Sequence, residues 1–227
     1  IAVLATIVIN ILANALPLND QNTGEISDSF KGFFVPAGYV FSIWGLIYIG
    51  LIAFAIYQFV GKTARLQRIG YWFALSCAAN IAWIFLWHYN QFELTLVAML
   101  TLLASLLVIY LRLRIGQERP PVAEKAMVDV PVSLYLGWIS VATIANFTSV
   151  LDFVQWNGWG IQPEIWAVIM LAVGTVVAVL MSLTRRDLTF QLVIIWAFIG
   201  IAVKQAGHPL VAISAWITSA LVVVGLV

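Results

Sequence analysis

Long apolar runs, separated by short polar interruptions, set the pattern of this chain. The first run covers the start to about residue 16. A polar stretch follows over 17–35, with Asn19, Asp20, Asn22, Gly24, Glu25, Ser27 and Asp28. The second run opens at Pro36 and reaches Val60 with no charged side chain. Further runs cover about 71–87, 94–111, 130–151, 165–183, 188–203 and 209–227. About 20 apolar residues in helical form cross a bilayer, whereas a barrel strand needs only about ten alternating ones. The pattern therefore predicts eight transmembrane helices. The polar stretch over 17–35 is read as one long loop, of the length that serves as a lid or binding loop.

Composition fixes the class. The chain is 63% hydrophobic and 9% charged, against about 25% charged residues in a soluble domain. This is the inventory of an all-α polytopic membrane protein. A net charge of +1 leaves no basic surface for nucleic acid. The single Cys77 allows neither an internal disulfide nor a cysteine metal cluster. The chain starts at Ile1 inside an apolar run, and further residues are expected before it.

Basic residues set the expected orientation. Lys62, Arg65, Arg68, Arg112, Arg114, Arg119, Lys125, Arg185 and Arg186 fall in alternate loops, and only Lys31 and Lys204 fall in the others. With eight spans, both ends and the basic loops lie on the cytoplasmic side, and the loop between the first two helices lies outside. The fourth run, mostly Leu, Val and Ala, reads as facing lipid. Trp156 and Trp159, in the connector over 152–164, fit an interfacial aromatic belt.

The predicted helices hold no Asp, Glu, Lys or Arg, which disfavours a proton relay or a carrier of charged substrates. Asn10, Asn14, Asn80 and Asn146 are their strongest polar groups. Each is expected to face inward, either bonding between helices or holding a ligand. His88 and His208 both fall on outer loops, where imidazole could ligate a haem iron or another metal, but two histidines on separate loops read better as interfacial residues with no specific role. Asp20, Glu25 and Asp28 read as a solvated acidic loop. No catalytic set can be placed. The remaining candidates are aromatic. Pro36 suits the first turn of a helix, and Phe41, Trp44 and Tyr48 then share one face. Trp83 and Trp87 follow Asn80 on the third helix. Tyr135, Trp138, Ala142 and Asn146 keep helical spacing on the fifth. These stripes either pack a core or converge on a cavity for a flat apolar ligand.

At these residues the chain resembles the TspO/MBR family of tryptophan-rich sensory proteins and mitochondrial translocator proteins. Three patterns carry the resemblance: Pro36-x-Gly38-Tyr-Val-Phe-x-x-Trp44-x-x-x-Tyr48, Ala79-Asn80-x-x-Trp83, and Pro131-x-x-x-Tyr135-x-x-Trp138-x-x-x-Ala142-Thr143-x-x-Asn146. The resemblance covers roughly residues 1–157. It implies a five-helix transmembrane bundle with a cavity beneath the first loop, where relatives bind porphyrins, sterols and synthetic aromatic ligands. Trp44 and Trp138 fall at the positions of the family's two pocket tryptophans, which some bacterial members are reported to use in breaking down porphyrin in light. Ala37, Tyr39 and Ser42 depart from the family's Pro, Trp and Pro. No basic residue lies between Asp129 and Glu164, so the sterol-recognition pattern is missing. Residues 158–227 then form a three-helix extension, which gives a TspO-like five-helix bundle plus three additional helices, eight in total.

The resemblance implies a membrane-embedded binding or sensing protein for a flat lipophilic ligand, with a tetrapyrrole such as a porphyrin expected and no cofactor required. The ligand-binding residues are then Phe41, Trp44, Tyr48, Asn80, Trp83, Trp87, Tyr135, Trp138, Ala142 and Asn146. Two other readings stay open: an accessory subunit of a larger, pigment-containing membrane complex, and a transporter of a small lipophilic molecule. The expected partners are the lipid bilayer, a lipophilic small molecule, and a second copy or other subunits. The family link points to a bacterial inner membrane.

Overall fold

A computed structural model describes residues 1–16, 18–61 and 63–225, with Asn14 placed by its backbone alone. The readings made at Pro17, Lys62 and the Asn14 side chain lie outside the described residues. Among the described residues eleven α-helices follow in order: α1 Ala2–Ala15, α2 Thr23–Asp28, α3 Ile43–Gly61, α4 Ala64–Gln67, α5 Trp72–His88, α6 Phe92–Arg112, α7 Val122–Glu124, α8 Val130–Phe153, α9 Pro163–Arg185, α10 Leu188–Lys204 and α11 Pro209–Val224.

The prediction of eight spans is corrected. Among the described residues, four stretches are long and apolar enough to cross a membrane: Gly38–Gly61, Phe92–Arg112, Val122–Phe153 and Pro163–Arg185. Ala2–Ala13 and Leu18–Asp28, bent by 51°, add a fifth if the pair counts as one span. Length decides the difference. The helices α5 and α10 have 17 residues and α11 has 16. At 1.5 Å per residue they run about 24–26 Å, short of the roughly 30 Å hydrocarbon layer. Apolar content along the sequence does not separate such helices from full spans, because a helix packed inside a bundle is as apolar as one in lipid.

Several predicted boundaries also move. Pro36 lies outside any helix, Ala37 is extended, and a tight turn over Gly38–Ser42 leads into α3. The polar stretch before them is not all loop. Asn22 caps α2 through Gly24 and Glu25, and the Glu25 carboxylate accepts in return from Asn22 N–H, a reciprocal capping box. At the other end of the bundle, helix begins at Val122 and runs through one wide turn, Lys125–Asp129, in which Val130 N–H bonds back five residues to Lys125 O.

The core is continuous from the first helix to the last. The helix α6 packs between α5 and α8. It buries Thr95, Ala98, Met99, Leu102 and Ile109 and leaves Leu94, Val97, Leu100 and Leu107 outside, so only one of its sides suits lipid. The helix α10 lies against α8, and α11 packs on α10 and α9.

Contacts define two poles. At one, Arg65 donates to Leu113 O, Arg112 donates to Arg68 O, and Ser182 donates to Gly225 O. The described basic residues of the alternate loops gather here. At the other pole, Asn19 bonds His88 O, Lys31 N–H donates to Asp152, and Lys204 pairs with Asp28. The segment over 18–42 caps this second pole. Its seat is α10: Ala37 N–H donates to Gly200 O at 3.1 Å, Trp196 donates to Val40 O, and Gln205 donates to Phe33 O. A Cβ on Gly200 would meet Val40 Cγ2 at 2.2 Å. Only glycine lets the cap lie this close.

Candidate ligand-binding site

The three aromatic stripes meet under the cap. Trp44 on α3 stacks on Tyr48 at 5.7 Å, with ring planes 27° apart. Its ring meets Trp138 of α8 edge to face at 6.2 Å and Tyr135 at 6.1 Å. Phe41, from the tight turn, reaches Trp138 at 5.7 Å. Trp83 and Trp87 stack on each other along α5 at 5.2 Å. These offset and edge-on pairs are the geometries that the ring quadrupole favours.

Between them lies a cavity of about 60 Å³. Eight of the ten residues chosen from sequence line it: Phe41, Trp44, Asn80, Trp83, Trp87, Trp138, Ala142 and Asn146. Tyr48 and Tyr135 do not. Tyr48 faces a second, larger space, and Tyr135 borders a separate void of about 10 Å³ between α3, α5, α6 and α8. The second space is a cleft of about 710 Å³ between α1, α2 and α3, open to one side. It shares Thr23, Phe41, Trp44 and Trp83 with the inner cavity. The two are therefore neighbouring chambers with Trp44 in the common wall.

The amides are engaged in interhelical bonds. Asn10 Nδ2 donates to Asn80 Oδ1 at 2.6 Å, and Asn80 Nδ2 donates to the Tyr135 hydroxyl at 2.9 Å, which ties α1, α5 and α8 together. Trp83 Nε1 donates to Asn146 Oδ1 at 3.1 Å, and Asn146 Nδ2 donates to Thr95 Oγ1 at 2.8 Å. One polar group on the cavity wall is different. Trp138 is buried, and its indole N–H has no partner among the described residues. Leaving such a donor unmet inside a protein costs on the order of 1–3 kcal/mol.

Sequence reasoning missed two features. The first is His88, which is not an idle interfacial residue. It is fully buried, with Nε2 at 3.1 Å from Thr23 Oγ1 and Nδ1 at 3.2 Å from Leu18 O, so it fastens the cap to α5. His208 is exposed and rests on the Phe33 ring. The second lies at the opposite pole. Arg65, Glu124 and Asp129, read as loop charges, are buried together. Arg65 Nη1 lies 2.9 Å from Glu124 and 2.8 Å from Asp129, and the Tyr57 hydroxyl donates to Glu124. Beside them Asp187 accepts from Tyr110 and Ser133 and caps α10 through Phe190 N–H. A helix entering with charges still at its first turns carried no hydropathy signal, but acidic residues spaced by five beside an apolar run were a usable clue. At the surface of this pole, a hydrogen bond and charge from Arg68 hold the Glu118 carboxyl below the usual carboxylate range.

No group of three or more His, Cys, Asp or Glu side chains that could hold a metal ion occurs among the described residues. A family profile described as TSPO-like protein matches residues 1–227. The match runs through 158–227 as well as the stretch that carries the three patterns. No curated protein and no solved structure matches the chain.

Proposed function

The chain belongs to the TSPO-like protein family, and from that premise we propose that it binds or senses a flat lipophilic ligand in the chambers around Trp44. It is a membrane-embedded, aromatic-rich protein, and the proposal adds what it holds. The single observation that carries the reading is the pair of adjoining chambers with an unmet donor in the inner wall. A cleft of about 710 Å³ lies within the roughly 300–1,000 Å³ typical of small-molecule sites. The inner chamber of about 60 Å³ has room for a substituent, not for a ring system. A tetrapyrrole macrocycle would lie in the cleft against the stacked Trp44 and Tyr48, with an edge acceptor directed inward to Trp138 Nε1.

We place the cap outside and the basic pole in the cytoplasm of a bacterial inner membrane, following the charge asymmetry between the poles. In this reading 1–157 supplies the chambers, and 158–227 buttresses them, because α10 seats the cap. The test is a titration of the purified protein with a porphyrin, followed by quenching of tryptophan fluorescence. Saturable quenching in the low micromolar range is expected, and it is lost in the Trp44→Phe/Trp138→Phe double variant. Saturable quenching that persists unchanged in that variant would remove both residues from the site.

A further inference from the structure

We propose that Arg112 and Trp72 form a binding site for the headgroup of an anionic phospholipid, at the end of the groove between α5 and α6. The site lies at the basic pole, away from both chambers, and stands whether or not those hold a ligand. The acids of that pole already have partners among the described residues. Glu118 pairs with Arg68, Arg65 and Arg114, Glu124 and Asp129 share Arg65, and Asp187 accepts from Tyr110 and Ser133. Arg112, Arg119, Lys125, Arg185 and Arg186 enter none of the described ion pairs. The pole therefore carries surplus positive charge, which attracts anionic lipid.

Charge alone would spread that attraction over all of these residues. Arg112 differs because it is exposed and yet held in place. Its guanidinium lies over the Trp72 ring, 5.7 Å from the ring centre, and Nη1 donates to Arg68 O at 3.1 Å. A fork held from two sides has little freedom left to lose on binding, and its remaining N–H groups match the oxygens of a phosphate. Arg185 also lies over a ring, but that ring is the fully buried Tyr110, so it is turned inward. The surroundings of Arg112 suit a lipid rather than a free anion. It ends α6, a full span, at the point where the apolar helix meets the loop. Leu107 and Leu111, one turn apart on α6, are exposed, and so are Tyr71 and Leu75 at the start of the neighbouring α5. Trp and Tyr rings settle at headgroup level. A phosphate on Arg112 would leave acyl chains lying along these leucines.

The experiment titrates the delipidated protein in a non-ionic detergent with phosphatidylglycerol, with phosphatidylcholine of the same acyl chains, and with inorganic phosphate. Bound lipid is counted by native mass spectrometry, and the shift in melting temperature is read for each variant against its own lipid-free state. Phosphatidylglycerol is expected to bind about fivefold more tightly than phosphatidylcholine, the scale of one basic residue at an anionic surface. Arg112→Gln should abolish that preference. Arg112→Lys, which keeps the charge without the planar fork, and Trp72→Leu, which removes the ring, should each retain only part of it. Arg119→Gln should leave it intact, and inorganic phosphate should shift nothing. Equal binding of the two lipids overturns the proposal, and so does a preference that survives Arg112→Gln or is unchanged by Trp72→Leu. A preference lost equally in Arg119→Gln overturns it in favour of a diffuse charge effect, and a full shift with inorganic phosphate overturns it in favour of a plain anion site.

Discussion

The two poles of this bundle solve the problem of buried polarity in opposite ways. Around Arg65, two carboxylates close on one guanidinium within 3 Å, and no chamber adjoins them among the cavities described. Around Trp44, the rings touch at 5.7–6.2 Å but leave space beside them. A buried ion pair tolerates no gap, because each charge depends on its partner for the solvation it has lost. Aromatic rings tolerate one, because their contact energy is spread over many weak atom pairs. The charged pole is therefore suited to fixing the chain, and the aromatic pole to receiving a guest.

Breaking the charged pole should have the largest effect. Arg65→Met strands Glu124 and Asp129, and a loss of about 3–5 kcal/mol is expected from such a broken buried pair. Thermal unfolding in detergent measures it, and adding Glu124→Gln should recover part of the loss. The seat of the cap comes next. Gly200→Ala forces a methyl into Val40 and should cost about 2–3 kcal/mol. Weaker porphyrin binding should accompany the lowered melting temperature, because the cap forms part of the cleft. Asn146→Leu leaves the Trp83 N–H without its acceptor and is expected to cost about 1–2 kcal/mol. Full porphyrin binding in that variant would show that the amide network only holds helices together.

The smallest effect belongs to the surface of the charged pole. Arg68→Gln removes an exposed partner of Glu118, and its melting temperature should fall only slightly below the parent's at neutral pH. The folded carboxyl of Glu118 is held below its ordinary value near 4.5. Whatever it contributes is present above that value and fades as pH falls through the lower, folded one. Parent and variant curves should therefore converge fully in acid. A gap that widens below pH 4.5 would reverse the sign.

Much of the aromatic pole was legible because its signal is local. The spacing of Phe41, Trp44 and Tyr48, and of Tyr135, Trp138 and Ala142, sorts side chains onto one helix face before any partner is known. Eight of the ten positions chosen from sequence share a chamber. Tyr48 and Tyr135 lie one turn too deep to reach it. The number of spans was not legible, since α5, α10 and α11 are apolar for packing and stop a few residues short. The charged pole was hidden for a different reason. Loops are recognised by their charges, and two of the charges of 118–129, Glu124 and Asp129, are drawn inside by the fold. Only the position of Arg65, about 60 residues away in the chain, explains why Glu124 and Asp129 can be buried.

The wide turn at Lys125–Asp129 has a consequence for how this protein can change. A turn that holds one residue more than its neighbours is a slack link, where the chain can lose a residue without twisting what lies beyond it. Removing Ala126 would tighten that turn to an ordinary helical one and keep both flanks in register, with Glu124 still facing Arg65 and Trp138 still beside Trp44. Such a deletion should melt near the parent, whereas the loss of Ser140 from the regular part of α8 would turn Asn146 about 100° relative to Trp138 and should melt early.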